Sequence, residues 1–184
     1  MADRKEFENV AMPYLDNVFR MAFTLCRSRS QAHDLTQTTF LKAFKRFESF
    51  QLGTNCQAWL FRILRNHWLD VLRHDKTVGP TVPIYDTDLV EPPQTDSLEW
   101  EDARDILNRF SDQQVIDALG VLPEEQRVPI FLLDIEEMSQ EEAAQTLDIP
   151  VGTVKSRASR GRLKLKVLLT GHATDMGILG RKEQ

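Results

Sequence analysis

Hydrophobic residues recur at helical spacing from the start of the chain. Apolar side chains follow one stripe from Phe7 to Leu25, three or four residues apart, with polar residues between them. Pro13 interrupts this stripe. Because proline lacks an amide hydrogen and clashes with the preceding turn, the pattern predicts a helix that breaks or restarts near Met12.

A second amphipathic helix is predicted over 31–47, with Ser30 as a candidate cap. Its inner face is apolar and rich in phenylalanine, whereas its outer face mixes short polar side chains with one outward leucine. Two interpretations of this outer face are open: a docking surface for another protein, or an ordinary solvated surface. Its members are Asp34, Gln37, Thr38, Leu41, Lys42 and Lys45.

A third helix is predicted over 57–74, after a loop that contains Gly53. Thr54 or Asn55 would cap it. Its outer face is mainly basic, and Trp68 stands among the cations. Such a face is able to hold separated DNA strands, because cations follow phosphates and aromatic rings accept unstacked bases, although Trp68 also fits a core position. The outer residues are Arg62, Arg65, Asn66, Asp70 and Arg73.

The next stretch, 77–112, has a different composition. It contains four prolines, two basic and nine acidic residues, whereas 1–76 has twelve basic and eight acidic residues. Few large apolar side chains occur in it. The composition therefore predicts a flexible acidic linker between two separately folding ends.

The C-terminal end, 113–170, contains a pair of helices joined by a tight turn. Ser139 and Glu142 have the spacing of a capping box, which predicts a helix start at that point. The sequence Asp-Ile-Pro at 148–150 then ends this helix. In the helix that follows, an inward stripe is predicted at Val154, Ala158, Gly161 and Leu165. A fraying tail is predicted over 171–184.

The other side of that last helix is strongly basic. Residues 151–170 include six lysines or arginines and no acid. Short polar side chains at the centre suit base edges, and long cations at the rim suit phosphates. This arrangement predicts a DNA-reading helix, although a basic run alone is more often a solvated surface. The candidate DNA-binding residues are Thr153, Lys155, Ser156, Arg157, Ser159, Arg160 and Arg162.

These patterns predict an all-α protein with two small helical domains, 1–76 and 113–170, the second containing a helix-turn-helix. Cys26 and Cys56 are too far apart in sequence to indicate a metal site or a disulfide framework, so reduced thiols in the cytoplasm are expected. His67, Asp70 and His74 give only a weak metal signal. No catalytic site, cofactor, metal or membrane insertion is expected.

Three ordered segments resemble the extracytoplasmic-function (ECF) group of bacterial sigma factors. AHDLTQTTFLKAFKRF is similar to the family's polymerase-docking helix, AWLFRILRNHWLDVLR to its promoter-melting helix, and LPEEQRVPIFLLDIEEMSQEEAAQTLDIPVGTVKSRASRGR to its upstream-element reader. By this resemblance, Asp34, Leu35, Gln37, Thr38, Leu41 and Lys42 would dock on polymerase. The loop residues Gln51, Thr54 and Asn55, with Arg62, Arg65, Asn66 and Arg73, would bind the downstream promoter element.

Three positions depart from the family pattern. Thr38 replaces an acidic residue, Ala158 a leucine and Gly161 an alanine. The first departure is expected to alter docking, and the other two to thin the packing of the recognition helix.

The resemblance implies an alternative sigma factor that binds core RNA polymerase and promoter DNA, is controlled by an anti-sigma factor, and is monomeric when not in a complex. It also implies a role in stress or envelope responses. Two rival hypotheses remain: a stand-alone helix-turn-helix regulator with an N-terminal sensing or dimerising domain, and a helical hydrolase that uses His67, Asp70 and His74 or the linker carboxylates.

Overall fold

The computed structural model describes residues 4–78 and 118–175. Every regular element in these ranges is helical, which confirms the all-α expectation. The predicted acidic linker, apart from its first two residues, lies outside the described ranges. The elements are α1 (Arg4–Ala11), α2 (Leu15–Cys26), α3 (Arg29–Lys45), α4 (Cys56–Val78), α5 (Glu124–Ile130) with a π-helical continuation (Phe131–Ile135), α6 (Gln140–Leu147) and α7 (Val151–Asp175).

Pro13 breaks the first helical stripe as predicted. A short 3₁₀ turn, Met12–Tyr14, separates α1 from α2 and has the proline in its first turn. The start of α3 differs from the prediction, because the side chain of Ser28, not of Ser30, accepts the capping hydrogen bond from the amide of Gln31. Arg27 takes a left-handed conformation there and ends α2.

By internal contacts the described helices form two compact units, α1 to α4 with α6, and α5 with α7 from Gly152 onward. In the first unit α3 packs against both α2 and α4, and α6 packs against α4. The domain predicted from sequence over 113–170 instead places α6 together with α7. The fully buried large side chains of this unit include Val18, Met21, Leu60, Phe61 and Leu64.

Aromatic rings join α1, α3 and the loop before α4. The ring of Phe7 meets those of Phe44 and Phe47 edge to face, with centroids 5.3 Å apart in each pair. Phe50 then contacts Trp59 at 4.7 Å. Such pairs contribute about 0.5–1.5 kcal/mol beyond their burial, so this cluster fixes the end of α3 next to the loop.

In the second unit, α5 begins after Pro123 and continues through Pro129 into the π-helical segment. The helix therefore widens just after Pro129. Arg127 is buried and donates to the carbonyl of Leu122 at 2.7 Å. Helix α7 continues to Asp175, so the tail predicted to begin at 171 was placed too early.

Candidate nucleic-acid interface

The two helices of the predicted helix-turn-helix have the local structure that their sequence indicates. Ser139 caps α6 and exchanges both hydrogen bonds of the capping box with Glu142. Asp148 takes a left-handed conformation and ends α6. The inward stripe of α7 is buried as predicted, because Val154 and Ala158 have no exposed surface and Gly161 and Leu165 are buried.

The outer face of α7 holds the predicted short polar residues. Ser156, Ser159 and Arg160 are exposed, as are Lys155 and Lys164. The guanidinium of Arg160 donates to the carbonyl of Ser156 at 3.3 Å, so it lies along the helix surface. Thr153 is half-buried, and its carbonyl accepts from the hydroxyl of Ser156. The exposure of this face agrees with the prediction, and its DNA contacts remain a prediction.

Two other cations of α7 turn toward α5 and its π-helical continuation. Arg157 is half-buried and lies 3.5 Å from the carboxylate of Glu125. Arg162 donates to both carboxylate oxygens of Asp134, at 2.8 and 2.7 Å. Arg162 is therefore paired with a carboxylate of the same chain, and its predicted DNA contact would have to compete with this ion pair.

The packing at Gly161 is also different from the expectation. A Cβ atom built at this position would lie 2.5 Å from Cδ1 of Ile130 and 3.2 Å from the carbonyl oxygen of Gln126. Gly161 does not loosen the packing of α7 against α5. It allows α7 to approach α5 more closely than an alanine would.

The loop before α4 is folded on itself. Thr54 donates to the carbonyl of Gln51 through its amide, at 3.2 Å, and through its hydroxyl, at 2.7 Å. Gly53 has φ +87°, a conformation that favours glycine. Leu52, at the tip of the loop, is 54% exposed. The loop therefore presents Gln51 and Leu52 outward from a closed turn.

Asn55 has one partner at the start of α4 and one on α6. Its side-chain oxygen caps α4 by accepting from the amide of Ala58 at 3.0 Å, and its amide nitrogen donates to Glu142 at 2.7 Å. The carboxyl of Glu142 also accepts from Ser139, and these hydrogen bonds, the backbone bond first, lower its pKa. A base contact by Asn55 would have to replace its bond to Glu142.

The outer face of α4 exposes the predicted basic residues. Arg62, Asn66 and Arg73 are exposed, and Arg65 is half-buried. Arg73 pairs with Asp70 at 2.9 Å. Trp68 is only 9% exposed, so the core interpretation of this residue holds and the DNA-stacking one is wrong.

The outer face of α3 agrees with its prediction at most positions. Asp34 and Gln37 are exposed, and Leu41 is 58% exposed. Leu35 is 5% exposed, which excludes it from this surface, because α3 packs against both α2 and α4. Phe44 belongs to the phenylalanine-rich inner face predicted for this helix, but the residue is 37% exposed. Its position three residues after Leu41 was the available signal.

Half-buried Lys42 connects this face with α4. Its ammonium group donates to Nδ1 of His67 at 3.0 Å, which requires a neutral imidazole. Burial lowers the pKa of His67, and the charge of Lys42 lowers it further.

At the start of α4, burial raises the pKa of Cys56 to about 11, so this thiol is mainly protonated at neutral pH.

In 4–78 and 118–175, no group of three or more His, Cys, Asp or Glu side chains is arranged to hold a metal ion. Across these same ranges, no helix is both long and apolar enough to cross a membrane.

Two protein-family models match the chain. Residues 10–77 match Sigma-70 region 2, and residues 112–165 match Sigma-70, region 4. Among relatives, the ECF RNA polymerase sigma factor EcfG of Rhodopseudomonas palustris is 37% identical over 150 residues. The match covers 80% of this chain and 76% of EcfG. The chain belongs to the ECF group of the sigma-70 family.

Another relative of this sigma factor is the ECF RNA polymerase sigma factor SigE of Mycolicibacterium smegmatis, 34% identical over 171 residues. The match covers 92% of this chain and 63% of that relative, so the chain spans less than two thirds of SigE.

Two solved structures are also similar to this sigma factor. The sigma factor RpoE of Bartonella quintana, solved with the anti-sigma factor NepR, has a TM-score of 0.64 and 31% identity, over 90% of this chain and 98% of that one. CnrH, solved with the cytosolic domain of CnrY, has a TM-score of 0.62 and 26% identity, and the match covers 92% of this chain and 91% of CnrH. Both comparisons agree with the family assignment.

Proposed function

We propose that this sigma factor binds core RNA polymerase through α3, and that the outer face of α7 selects the promoter. As an ECF sigma factor it serves transcription initiation, and we infer that it does so as a specificity factor rather than as an enzyme. Core polymerase and promoter DNA are then its working partners, in the cytoplasm.

The observation that carries the promoter-reading proposal is the composition of the exposed face of α7. Ser156 and Ser159 offer short donors and acceptors that suit base edges, and Arg160 beside them suits a guanine or a phosphate. Each phosphate that a cation neutralises releases counterions and raises affinity at low salt. The remaining candidates are Lys155, which is exposed on this face, half-buried Thr153, and Arg157, which lies near Glu125.

The downstream element is assigned to the loop before α4 and to the outer face of that helix. Flipping a base out of the duplex costs a few kcal/mol, and stacking one base on a protein surface contributes about 1–3 kcal/mol. One or two captured bases are thus sufficient to hold an opened strand. The residues proposed for this role are Gln51, Thr54, Asn55, Arg62, Arg65, Asn66 and Arg73.

The docking surface on α3 consists of exposed and half-buried polar residues around an apolar centre. Leu41 and Phe44 provide exposed apolar area, which is typical of a surface that a partner covers. Asp34, Gln37, Thr38 and Lys42 surround this centre. We propose that core polymerase covers this surface in the active state and that an anti-sigma factor covers it in the inactive state. The similar sigma factor RpoE was solved in complex with the anti-sigma factor NepR, which supports a partner of this kind.

Run-off transcription with purified core polymerase tests these assignments. We expect Arg160→Ala to impair promoter selection while polymerase binding persists, and Asp34→Ala to weaken polymerase binding while leaving the DNA surface intact. Pull-down of the core enzyme separates the two effects. If the wild-type chain selects the promoter equally well without polymerase, it acts as a stand-alone regulator and the proposal is wrong.

A further inference from the structure

Arg162 makes the most enclosed ion pair described in the second unit. Its side chain is 11% exposed and that of Asp134 is 7% exposed. Two of its nitrogens donate to separate carboxylate oxygens, at 2.8 and 2.7 Å. A guanidinium bound at two points has a fixed orientation, which a single contact from a flexible lysine would not give it.

The neighbouring residue strengthens this constraint. At Gly161 the backbone of α7 comes close to α5, because the position of a Cβ atom there is within 2.5 Å of Ile130. Gly161 fixes how closely the helices approach, and the pair between Arg162 and Asp134 fixes how α7 is rotated. At about 100° per residue, Arg162 lies about 200° from Arg160 but only about 60° from Ser159, so the ion pair is on the flank of α7, between the buried stripe and the exposed reading face.

We propose that Asp134 and Arg162 are positioning residues for promoter recognition. Their ion pair holds α7 at the rotation that directs Ser156 and Ser159 toward base edges and Arg160 toward the phosphate beside them, and Arg162 itself makes no DNA contact. This inference rests on the proposed reading role of α7. It predicts that losing the two-point geometry reduces discrimination between sequences, even when the protein stays folded and keeps its net charge.

The first test measures the salt dependence of DNA binding. Full-length protein assembled with core polymerase is titrated with a duplex that the wild-type holoenzyme has selected from a random-sequence pool, at several salt concentrations. The double variant Asp134→Asn/Arg162→Gln removes both charges and leaves two amides that can still pair. The salt slope is the slope of log affinity against log salt concentration. We expect the double variant to have the wild-type salt slope, whereas Arg160→Gln, the matched control, lowers the magnitude of this slope by about one.

The second test measures specificity with a charge-conserving variant. Arg162→Lys keeps the cation but loses the two-point contact. We expect the ratio of affinities for selected and scrambled duplexes to fall about tenfold, roughly the effect of one mismatched base pair. Thermal unfolding, followed by circular dichroism, establishes that the variant is folded at the temperature of the assay.

The outcomes separate this inference from the function on which it rests. If the double variant lowers the salt slope as Arg160→Gln does, Arg162 contacts phosphate and the inference is wrong. If folded Arg162→Lys discriminates like the wild type, the pair is merely structural and the inference is also wrong. If Arg160→Gln changes neither slope nor specificity, the reading role of α7 fails instead.

Discussion

Glu137 has φ 52°, a left-handed backbone conformation that residues with a Cβ atom rarely adopt. Glycine has no such penalty, so we expect Glu137→Gly to raise the free energy of unfolding by about 0.5–1 kcal/mol, after allowing for the greater freedom of an unfolded glycine. Urea unfolding measures this change. Glu136→Gly is the matched control, because Glu136 has φ −94° and the same substitution should destabilise there. Equal effects at both positions would contradict the explanation.

The carboxylate of Glu142 predicts a specific response to acid. Hydrogen bonds from Ser139 and Asn55 lower its pKa from the ordinary value of 4.5. A lowered pKa in the folded state adds stability above pH 4.5, and this stability is lost as the pH falls through the folded-state pKa. We expect Glu142→Gln to be less stable than wild type by about 0.5 kcal/mol at pH 6, with a difference that shrinks toward pH 3.

Urea unfolding between pH 6 and pH 3 tests this expectation. Glu141→Gln makes the same charge change in the same turn of α6, so it controls for net charge. A stability difference between wild type and Glu142→Gln that stays constant down to pH 3 would rule out the carboxylate as its source.

At the scale of elements, the contact between Lys42 on α3 and His67 on α4 links the two helices. Burial and then the charge of Lys42 lower the pKa of His67. We therefore expect Lys42→Met to raise the pKa of His67, as measured by NMR titration of the imidazole protons. Lys45→Met removes an exposed cation from the same helix and serves as the control. If the two variants give the same pKa for His67, the 3.0 Å contact does not persist in solution.

Features that depend on neighbouring residues in sequence could be predicted without the structure. The break at Pro13, the capping box of Ser139 and Glu142, and the inward stripe of α7 each follow from local spacing, and all are observed. The outward position of Leu41 follows from the same periodicity.

Features that depend on a distant partner were not predicted. The carboxylate of Asp134 is 28 residues from Arg162 in sequence, so spacing alone left Arg162 among the DNA-binding cations. The burial of Leu35 and the exposure of Phe44 depend on how α3 lies between its neighbours, which amphipathic periodicity does not specify. Gly161 was misinterpreted because its meaning depends on the distance to α5.

At the scale of the whole molecule, the proposed division of labour requires α3 to act through its surface. Leu41 is already exposed, so we expect Leu41→Ser to change stability by less than about 0.5 kcal/mol. If polymerase covers this leucine at the centre of the docking surface, the same change should weaken core binding at least tenfold. Fluorescence anisotropy of the labelled chain, titrated with core polymerase, measures the affinity.

Leu52→Ser is the matched control for that measurement. Leu52 is similarly exposed but lies in the loop before α4, so its loss should leave core binding unchanged. Equal losses from both variants would indicate a general effect of exposed leucines rather than a docking surface on α3.

The widened turn after Pro129 has a consequence for how this family can change over time. A π-helical turn contains more residues than an α-helical one, and Phe131–Ile135 forms such a turn immediately before the chain reaches α6. Deleting a single residue here would remove the extra residue that the wide turn accommodates and return the segment to α geometry, which would change the direction in which Asp134 projects toward Arg162. Substitutions within 131–135 should therefore be tolerated in evolution far more readily than any change in its length.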